Sequence, residues 1–313
     1  PHVNLHLWNP VYCALANAGV VWVTGASSGI GEELAYQLAK LGALLAISAR
    51  REDELQRVKK KCLRNSLTES DILVLRLDLT DRSTHEAATN SVLKHFGKID
   101  VLVNNGGRSQ RSLFVDTNLD VYNAIIELNY LGTISLTKYV LNHMIQRKKG
   151  KIVTVSSVMG IMGAPLATGY CASKHALQGF FNSLRTELTD YPEISVIQIC
   201  PGPVQSQIIQ NSLENSGDQS HKMPTDRCAR LTLVSVANDV KEAWISDHPY
   251  LAVCYLWQYA PTWAWWLMNR MGKKRIQNFK SGIVSVQGAP LSLSPLVCLS
   301  PCLFHSAAVG MLG

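Results

Sequence analysis

Short apolar runs alternate along this chain with longer stretches whose apolar residues recur at helical spacing. The runs are Val20 to Thr24, Ala43 to Ser48, Ile72 to Leu77, Ile99 to Asn104, Lys151 to Ser156 and Ser195 to Cys200. Their length and β-branched content predict strands. The stretches Gly29 to Leu41, Glu52 to Leu63, His85 to Phe96, Asp120 to Gln146 and Tyr170 to Thr189 predict helices. Continuously apolar strands separated by helices imply an α/β fold, with a parallel sheet covered on both faces. Right-handed crossovers then bring the loops after the strands to one edge of the sheet, where ligands bind. The glycine turn after Thr24, together with Arg50, Asp78, Asn104 and Ser157, follows strands and is expected to converge there.

Composition narrows the class. The 313 residues are 47% hydrophobic and 17% charged, which suits a globular α/β chain of one large domain or two small ones. The net charge of +7 resides partly in three short runs, Lys59-Lys60-Lys61, Arg147-Lys148-Lys149 and Lys273-Lys274-Arg275. Nucleic-acid binding would need a concentrated patch with readout or stacking residues, so no nucleic-acid partner is expected. Solvated helix ends are the simpler reading, with a negatively charged membrane surface second for the last run. The eight cysteines are scattered, without Cys-x-x-Cys or zinc spacing. No metal is expected, and the cysteines read as reduced thiols facing a cytosol-like environment. No Asn-x-Ser/Thr acceptor occurs.

Two motifs carry candidate chemistry. In Val23-Thr24-Gly25-Ala26-Ser27-Ser28-Gly29-Ile30-Gly31 a strand enters a glycine-rich turn and a helix leaves it. Glycine lets the backbone approach a pyrophosphate, and a helix N-terminus offers free N–H groups. The same turn also fits a tight strand-to-helix connection. Further on, Tyr170 and Lys174 lie four apart, on one face of a helix. An adjacent ammonium favours the phenolate, which makes the pair an acid/base device. The plain alternative is an exposed helix face.

Together these motifs resemble the short-chain dehydrogenase/reductase family. Its pattern Thr-Gly-x-x-x-Gly-x-Gly, a later Asn-Asn-x-Gly, and a Ser ahead of Tyr-x-x-x-Lys appear in order, at Thr24 to Gly31, Asn104 to Gly107, Ser157, and Tyr170 with Lys174. Gly106 replaces the usual alanine, a change expected to matter little. The resemblance covers residues 19 to 282 and is nearest to a membrane-associated branch whose relatives reduce steroid and retinoid carbonyls. It implies a single Rossmann-like, doubly wound domain and an oxidoreductase working by direct hydride transfer.

The resemblance also implies roles. Ser157, thirteen residues before the tyrosine, would hydrogen-bond a substrate carbonyl, with Ser156 structural. Tyr170 would donate the proton during reduction, and Lys174 would lower its pKa and bind the nicotinamide ribose. Asn129 would hold a water in a proton relay with Lys174; asparagine is a poor helix-interior residue, which suggests a local task. Cofactor contacts would come from Thr24, Gly25, Ser27, Ser28, Gly29, Ile30, Gly31, Arg50, Arg51, Asp78, Asn105, Gly106, Tyr170, Lys174, Pro201, Gly202, Val204 and Ser206. Pro201 to Ser206 would follow the last strand, and the polar stretch to His221 would form a substrate loop.

The cofactor choice rests on residues. NAD binding wants a carboxylate at the end of the second strand. Here Arg50 and Arg51 follow it, and guanidinium pairs with phosphate, which points to NADP(H). The alternative is that both arginines only flank the next helix. For Asp78 the resemblance implies an adenine contact, and the residue alone also fits the N-cap of the next helix; the two are compatible. Asn104 and Asn105 read as a cofactor-side element or a turn.

Five of the seven tryptophans lie between Trp244 and Trp266. Residues 244–275 have three readings: wall of a large apolar pocket, membrane-interface segment, or ordinary packing including a dimer contact. The first and second imply an apolar carbonyl substrate and a membrane surface as partners; the third allows a homodimer. Residues 1–18 show no signal peptide or apolar anchor and read as a divergent N-terminal segment. Residues 283–313, which lack Asp, Glu, Lys and Arg, read as an unmatched apolar tail. The branch resemblance places the chain at the endoplasmic reticulum membrane. Two competing functions are a non-catalytic NADP-binding scaffold or sensor, and a 3-oxoacyl-carrier reductase, for which the aromatic segment would be surplus.

Overall fold

The computed structural model describes residues 19–65, 67–205 and 222–281. The segments read as 1–18 and 283–313, and the stretch leading to His221, lie outside the described residues. Seven strands form one parallel sheet in the order β3-β2-β1-β4-β5-β6-β7. They are β1 Val20–Thr24, β2 Leu44–Ala49, β3 Ile72–Arg76, β4 Val101–Asn104, β5 Gly150–Val155, β6 Ile194–Pro201 and β7 Glu242–Ile245. The helices are α1 Gly29–Lys40, α2 Glu52–Cys62, α3 His85–Phe96, α4 Leu119–Ile126, α5 Thr133–Arg147, α6 Thr168–Glu187, α7 Thr225–Ala237, α8 Tyr250–Tyr259 and α9 Pro261–Lys280.

Strand alternation builds two cores. Val21 and Val23 of β1 face one layer with Leu34, Leu55 and Leu233, from α1, α2 and α7. Val20 and Trp22 face the other with Val92, Leu136 and Phe181, from α3, α5 and α6. Both faces of the sheet are thus covered, which is why the strands read as unbroken apolar runs. Trp22 is fully buried and its indole N–H donates to Ser48 Oγ at 3.0 Å. The strand order reverses between β1 and β4, which opens the crevice where ligands bind in doubly wound sheets.

Six strands and five helical stretches lie where the pattern predicts, with two revisions. The stretch Asp120 to Gln146 is not one α-helix: a π-helical turn, Glu127–Gly132, separates α4 from α5. β6 is also not the last strand. β7 pairs beyond it, with Cys200 opposite Trp244. Its four residues include Glu242 and are mostly half-buried, so no continuous apolar run announces it. The five described cysteines, Cys62, Cys171, Cys200, Cys228 and Cys254, are free thiols and buried.

Candidate active site

The crevice begins at the glycine turn. Thr24, buried at the end of β1, is a hub: its Oγ1 donates to Val103 O at 3.2 Å and accepts from the amides of Asn105 at 3.0 Å and Gly106 at 3.1 Å. Asn105 Nδ2 returns to Thr24 O at 3.1 Å and Gly25 O at 3.3 Å. The loop after β4 therefore clamps the turn after β1. Gly25 sits at φ +64°, where a side chain is strained, and a Cβ there would lie 2.8 Å from Gly106 Cα. A Cβ on Gly31 would lie 2.5 Å from Gly25 O and Asn105 Nδ2. These contacts keep the turn tight and bare of side chains. Ser28, the N-cap of α1, makes no side-chain cap bond. The turn therefore presents unblocked helix N–H groups, with Gly29, Ile30 and Gly31 opening the helix and Ser27 beside them. These features fit a pyrophosphate. At Gly106 a Cβ would press on Leu79 Cδ1 at 2.5 Å, so the family's alanine would require that flexible leucine to shift.

The next two strand ends carry the candidate adenosine side. Arg50 and Arg51 are exposed directly after β2. Arg51 is also the N-cap residue of α2, and its Nη2 donates to Ser27 Oγ at 3.4 Å. Helix flank and loop contact therefore coincide. Leu77 N donates to Ala49 O at 2.9 Å, which brings Asp78 out beside them. Asp78 does not cap the following helix. Its Oδ1 accepts from Thr80 N at 3.0 Å and Thr80 Oγ1 at 2.9 Å, closing its own turn. The short helical turn Arg82–Thr84 intervenes, and Thr84 is the N-cap of α3. Sequence reasoning missed Arg57, which grips Glu32 with Nη1 at 2.7 Å and Nη2 at 2.9 Å. Its Nη2 also reaches Ser27 O at 3.4 Å, which ties α2 to the turn. Burial pushes the Glu32 carboxyl up, but bonds from Arg57 and Tyr36 outweigh it and hold the group below the carboxylate range. The spacing from Glu32 to Arg57 carries no sequence signal.

Past β5 stands the reactive cluster. Ser157 Oγ donates to Pro201 O at 3.3 Å and accepts from Met159 N at 3.1 Å. Tyr170 occupies the first turn of α6, near enough to Ser157 for that side chain to act on its phenol. Lys174 follows one turn later, 5% exposed, with Nζ donating to Val155 O at 2.9 Å and standing 5.8 Å from the Tyr170 ring centroid. Among the described residues no carboxylate pairs with it. Burial pushes the Tyr170 phenol up to about 12, with Ser157 opposing, and pushes the Lys174 ammonium down to about 8. The expected lowering of the phenol by Lys174 is thus not what this arrangement gives. Desolvation dominates both groups, and the ammonium is turned toward the end of β5. Ser156 is structural: its N–H bonds Ile199 O at 2.7 Å and its Oγ reaches Lys174 O at 3.4 Å.

Asn129 lies in the π-helical turn, 1% exposed. Its Oδ1 accepts from Arg108 N at 2.9 Å, and its Nδ2 donates to Arg108 O at 2.9 Å and Ser173 Oγ at 3.0 Å. The side-chain amide is thus occupied by protein, and it fastens the segment after β4 to α6. A Cβ on Gly107 would lie 3.2 Å from Asn129 Oδ1 and 3.8 Å from Lys174 Nζ, so both side chains lie close beneath that segment. Asn104, one step earlier, is buried and bonds Thr137 Oγ1 at 2.8 Å.

The rim comes from β6 onward. Gly202 N donates to Ile245 O at 2.9 Å, Val204 bridges to Met223, and Ser206 lies outside the described residues. The aromatic segment divides in function. Trp244 and Trp257 pack with Val253 and Cys254 on Val158, Met159 and Met162, within the five residues after Ser157. They form an apolar wall beside the reactive cluster. Tyr259, Trp263 and Trp266 face outward. Among the described residues no helix is long and apolar enough to cross a membrane, and no metal-holding cluster occurs.

Comparison with known proteins agrees with this picture. Residues 19–217 match the short chain dehydrogenase family. The chain is 69% identical over 273 residues to human dehydrogenase/reductase SDR family member 7, covering 84% of this chain and 80% of that one. Among solved structures it resembles a short chain dehydrogenase/reductase from Burkholderia phymatum in complex with NAD, with TM-score 0.68 and 24% identity, over 76% of this chain and 92% of that one. It also resembles an alcohol dehydrogenase from Thermococcus sibiricus complexed with 5-hydroxy-NADP, with TM-score 0.66 and 24% identity, over 72% and 95% of the two chains. At that identity the solved structures speak for the fold.

Proposed function

The chain belongs to the short-chain dehydrogenase/reductase family, and we propose that it is an NADP(H)-dependent oxidoreductase reducing carbonyl groups of apolar substrates such as steroids, retinoids and xenobiotic ketones or aldehydes. The observation that carries this reading is the meeting of Ser157, Tyr170 and Lys174 at one sheet edge, beside a glycine turn clamped by Asn105. The bound nicotinamide supplies the hydride. The protein supplies position and protons. The Tyr170 phenol, kept protonated by burial, donates its proton to the carbonyl oxygen as it gains negative charge. Ser157 hydrogen-bonds that oxygen and the tyrosine together, stabilising the developing oxyanion. Lys174 is the cation beneath the phenol; it would compensate the phenolate left behind and hold the ribose. Asn129 acts as a positioning residue, since its amide fixes the segment that carries Gly107.

Arg50 and Arg51, exposed where β2 ends and with no carboxylate before Glu52, suit a 2′-phosphate. Trp244 and Trp257 beside Met159 supply an apolar wall that suits a large apolar substrate. The chain would work at the endoplasmic reticulum membrane, where such substrates partition. The test is loss of reduced-cofactor absorbance with all-trans-retinal and with a 3-ketosteroid, comparing NADPH with NADH. Turnover strongly preferring NADPH is expected. Tight NADPH binding without turnover on carbonyl compounds, thioester-linked ketones included, would favour the scaffold reading instead.

A further inference from the structure

The mouth of the cleft is ringed by side chains that a water-facing surface does not need. The segment Pro165–Ala167 leads into α6 and Tyr170. On one side, Ser112 N bonds Leu166 O at 3.0 Å, and Tyr122 shares a 2.9 Å hydrogen bond with Thr168. This anchors a corner whose Phe114, Val115 and Leu119 are 67%, 82% and 71% exposed. On the other side α9 packs close enough that a Cβ on Gly272 would lie 3.6 Å from Pro165. The inner face of α9 is Ala264, Leu267, Met268 and Gly272, buried or half-buried. Its outer face carries Trp263 and Trp266, 67% and 59% exposed, with Tyr259 of α8 at 82%. Two apolar patches therefore flank one cleft, where scattered single residues would be ordinary.

Charge adds the second observation. Counted from the sequence, α8 and α9 carry five cations, Arg270, Lys273, Lys274, Arg275 and Lys280, and no carboxylate. Along α9 the tryptophans occupy the first turns and the cations follow, so about 10–15 Å of helix separates the apolar end from the basic end. That order matches the boundary of a bilayer, with aromatic rings at headgroup depth and lysines at the phosphates. A second copy is the poorer occupant, because a two-fold contact through the outer face would set Arg270, Lys273 and Lys274 of one copy against the same cations of the other, Arg275 being turned toward Cys171. Neither helix is long and apolar enough to cross a membrane, so the fitting geometry is a surface contact.

We propose that α9 and the Phe114–Leu119 corner seat this protein on an anionic lipid surface, so that the cleft leading to Tyr170 opens into lipid. The contact stands on the surface alone; its use for drawing apolar substrate from the bilayer rests on the oxidoreductase reading above. The test is co-sedimentation of the full chain with phosphatidylcholine vesicles, with and without phosphatidylserine, together with tryptophan emission. Expected are preferential binding to anionic vesicles, a blue shift on binding, and salt sensitivity. Trp263→Ser/Trp266→Ser should abolish the shift and cut partitioning at least about tenfold, since two aromatic anchors are removed. Lys273→Gln/Lys274→Gln should cut it by about fivefold per lysine at low salt and converge with wild type at high salt. Phe114→Ser/Val115→Ser should weaken binding without touching α9. NADPH binding and melting temperature should be unchanged in all three.

Wild-type indifference to anionic vesicles overturns the proposal, and so do variants that bind as wild type does. A wild-type dimer that Trp263→Ser/Trp266→Ser dissociates would assign the face to a second copy and also overturn it. Binding is read without turnover. A chain that docks but reduces no carbonyl therefore defeats the oxidoreductase reading only, and one that reduces retinal in detergent yet ignores vesicles defeats the docking only.

Discussion

Gly31→Ala tests the glycine turn most sharply, because the same substitution is favourable elsewhere in this chain. In a helix, alanine exceeds glycine by about 1 kcal/mol. At Gly31, however, the new methyl would lie 2.5 Å from Gly25 O and from Asn105 Nδ2. The carbonyl is backbone and cannot swing away, so overpacking costs about 1–3 kcal/mol. Displacing Asn105 endangers its bonds to Thr24 O and Gly25 O, at about 0.5–1.5 kcal/mol each. Taking mid-range values and subtracting the helix gain leaves a loss of about 3 kcal/mol. The control is Gly179→Ala, at an exposed position inside α6 where a Cβ meets nothing within 4 Å. It should gain about 0.5–1 kcal/mol. Urea unfolding of both variants, with and without NADPH, gives the comparison. Ligand bound only by the native state raises the midpoint, and that rise should vanish for Gly31→Ala but persist for Gly179→Ala. If Gly31→Ala unfolds within about 0.5 kcal/mol of wild type and keeps its NADPH response, the turn is not the tight cradle argued here.

Three further outcomes follow from the site. Tyr170→Phe should abolish carbonyl reduction while NADPH binding, read by fluorescence titration, stays within about twofold; surviving turnover contradicts the proton-donor role. Arg50→Ala/Arg51→Ala should lower the NADPH-over-NADH preference in kcat/KM by about 10–100-fold, the worth of a charged hydrogen bond at about 1.5–3 kcal/mol, and an unchanged ratio removes the 2′-phosphate argument. Lys174→Met should alter the pH dependence of stability. Burial holds this ammonium near 8 in the native state against 10.5 when unexposed groups are freed, so between those values the unfolded chain binds the extra proton and stability rises with pH. That rise should be missing in the variant, and urea midpoints with equal slopes across the window would refute it.

What was legible in the sequence is what is local. The glycine turn and the Tyr170–Lys174 pair announce themselves by spacing, because strand, turn and helix geometry fix where residues a few positions apart must go. The central apolar strands were legible because both their faces are buried, and the half-buried edge strand β3 because its run Ile72 to Leu75 is still unbroken. β7 was not, since its four residues carry no unbroken apolar run and its pairing with β6 is a long-range fact. The π-helical turn at Asn129 was equally hidden, because its residues keep the general look of an α-helix; only the mid-helix asparagine hinted at it. Arg57 escaped for another reason. Its partner Glu32 lies 25 positions away, and nothing in either neighbourhood distinguishes that ion pair from an ordinary charged helix face.

The electrostatics of the pair could not be read from spacing either, and there the structure changes the chemistry. Four residues of separation place a phenol and an ammonium on one helix face, but not in one environment. Burial acts on both groups in the direction that favours neutrality, raising the acid and lowering the base. For a reductase one half of the reaction needs the phenol protonated, which a group titrating at about 10 or above already is at neutral pH. The other half needs the phenolate to be tolerable, and for that a cation must be near while remaining uncommitted. Lys174 satisfies the condition because its ammonium donates to a neutral carbonyl, Val155 O, and not to a carboxylate that would neutralise its charge. The cost is a buried ammonium with weak compensation, which folding elsewhere must offset. The Asn129 clamp on Arg108 and Ser173 is placed where that offset is needed, holding together the two segments that close over the lysine.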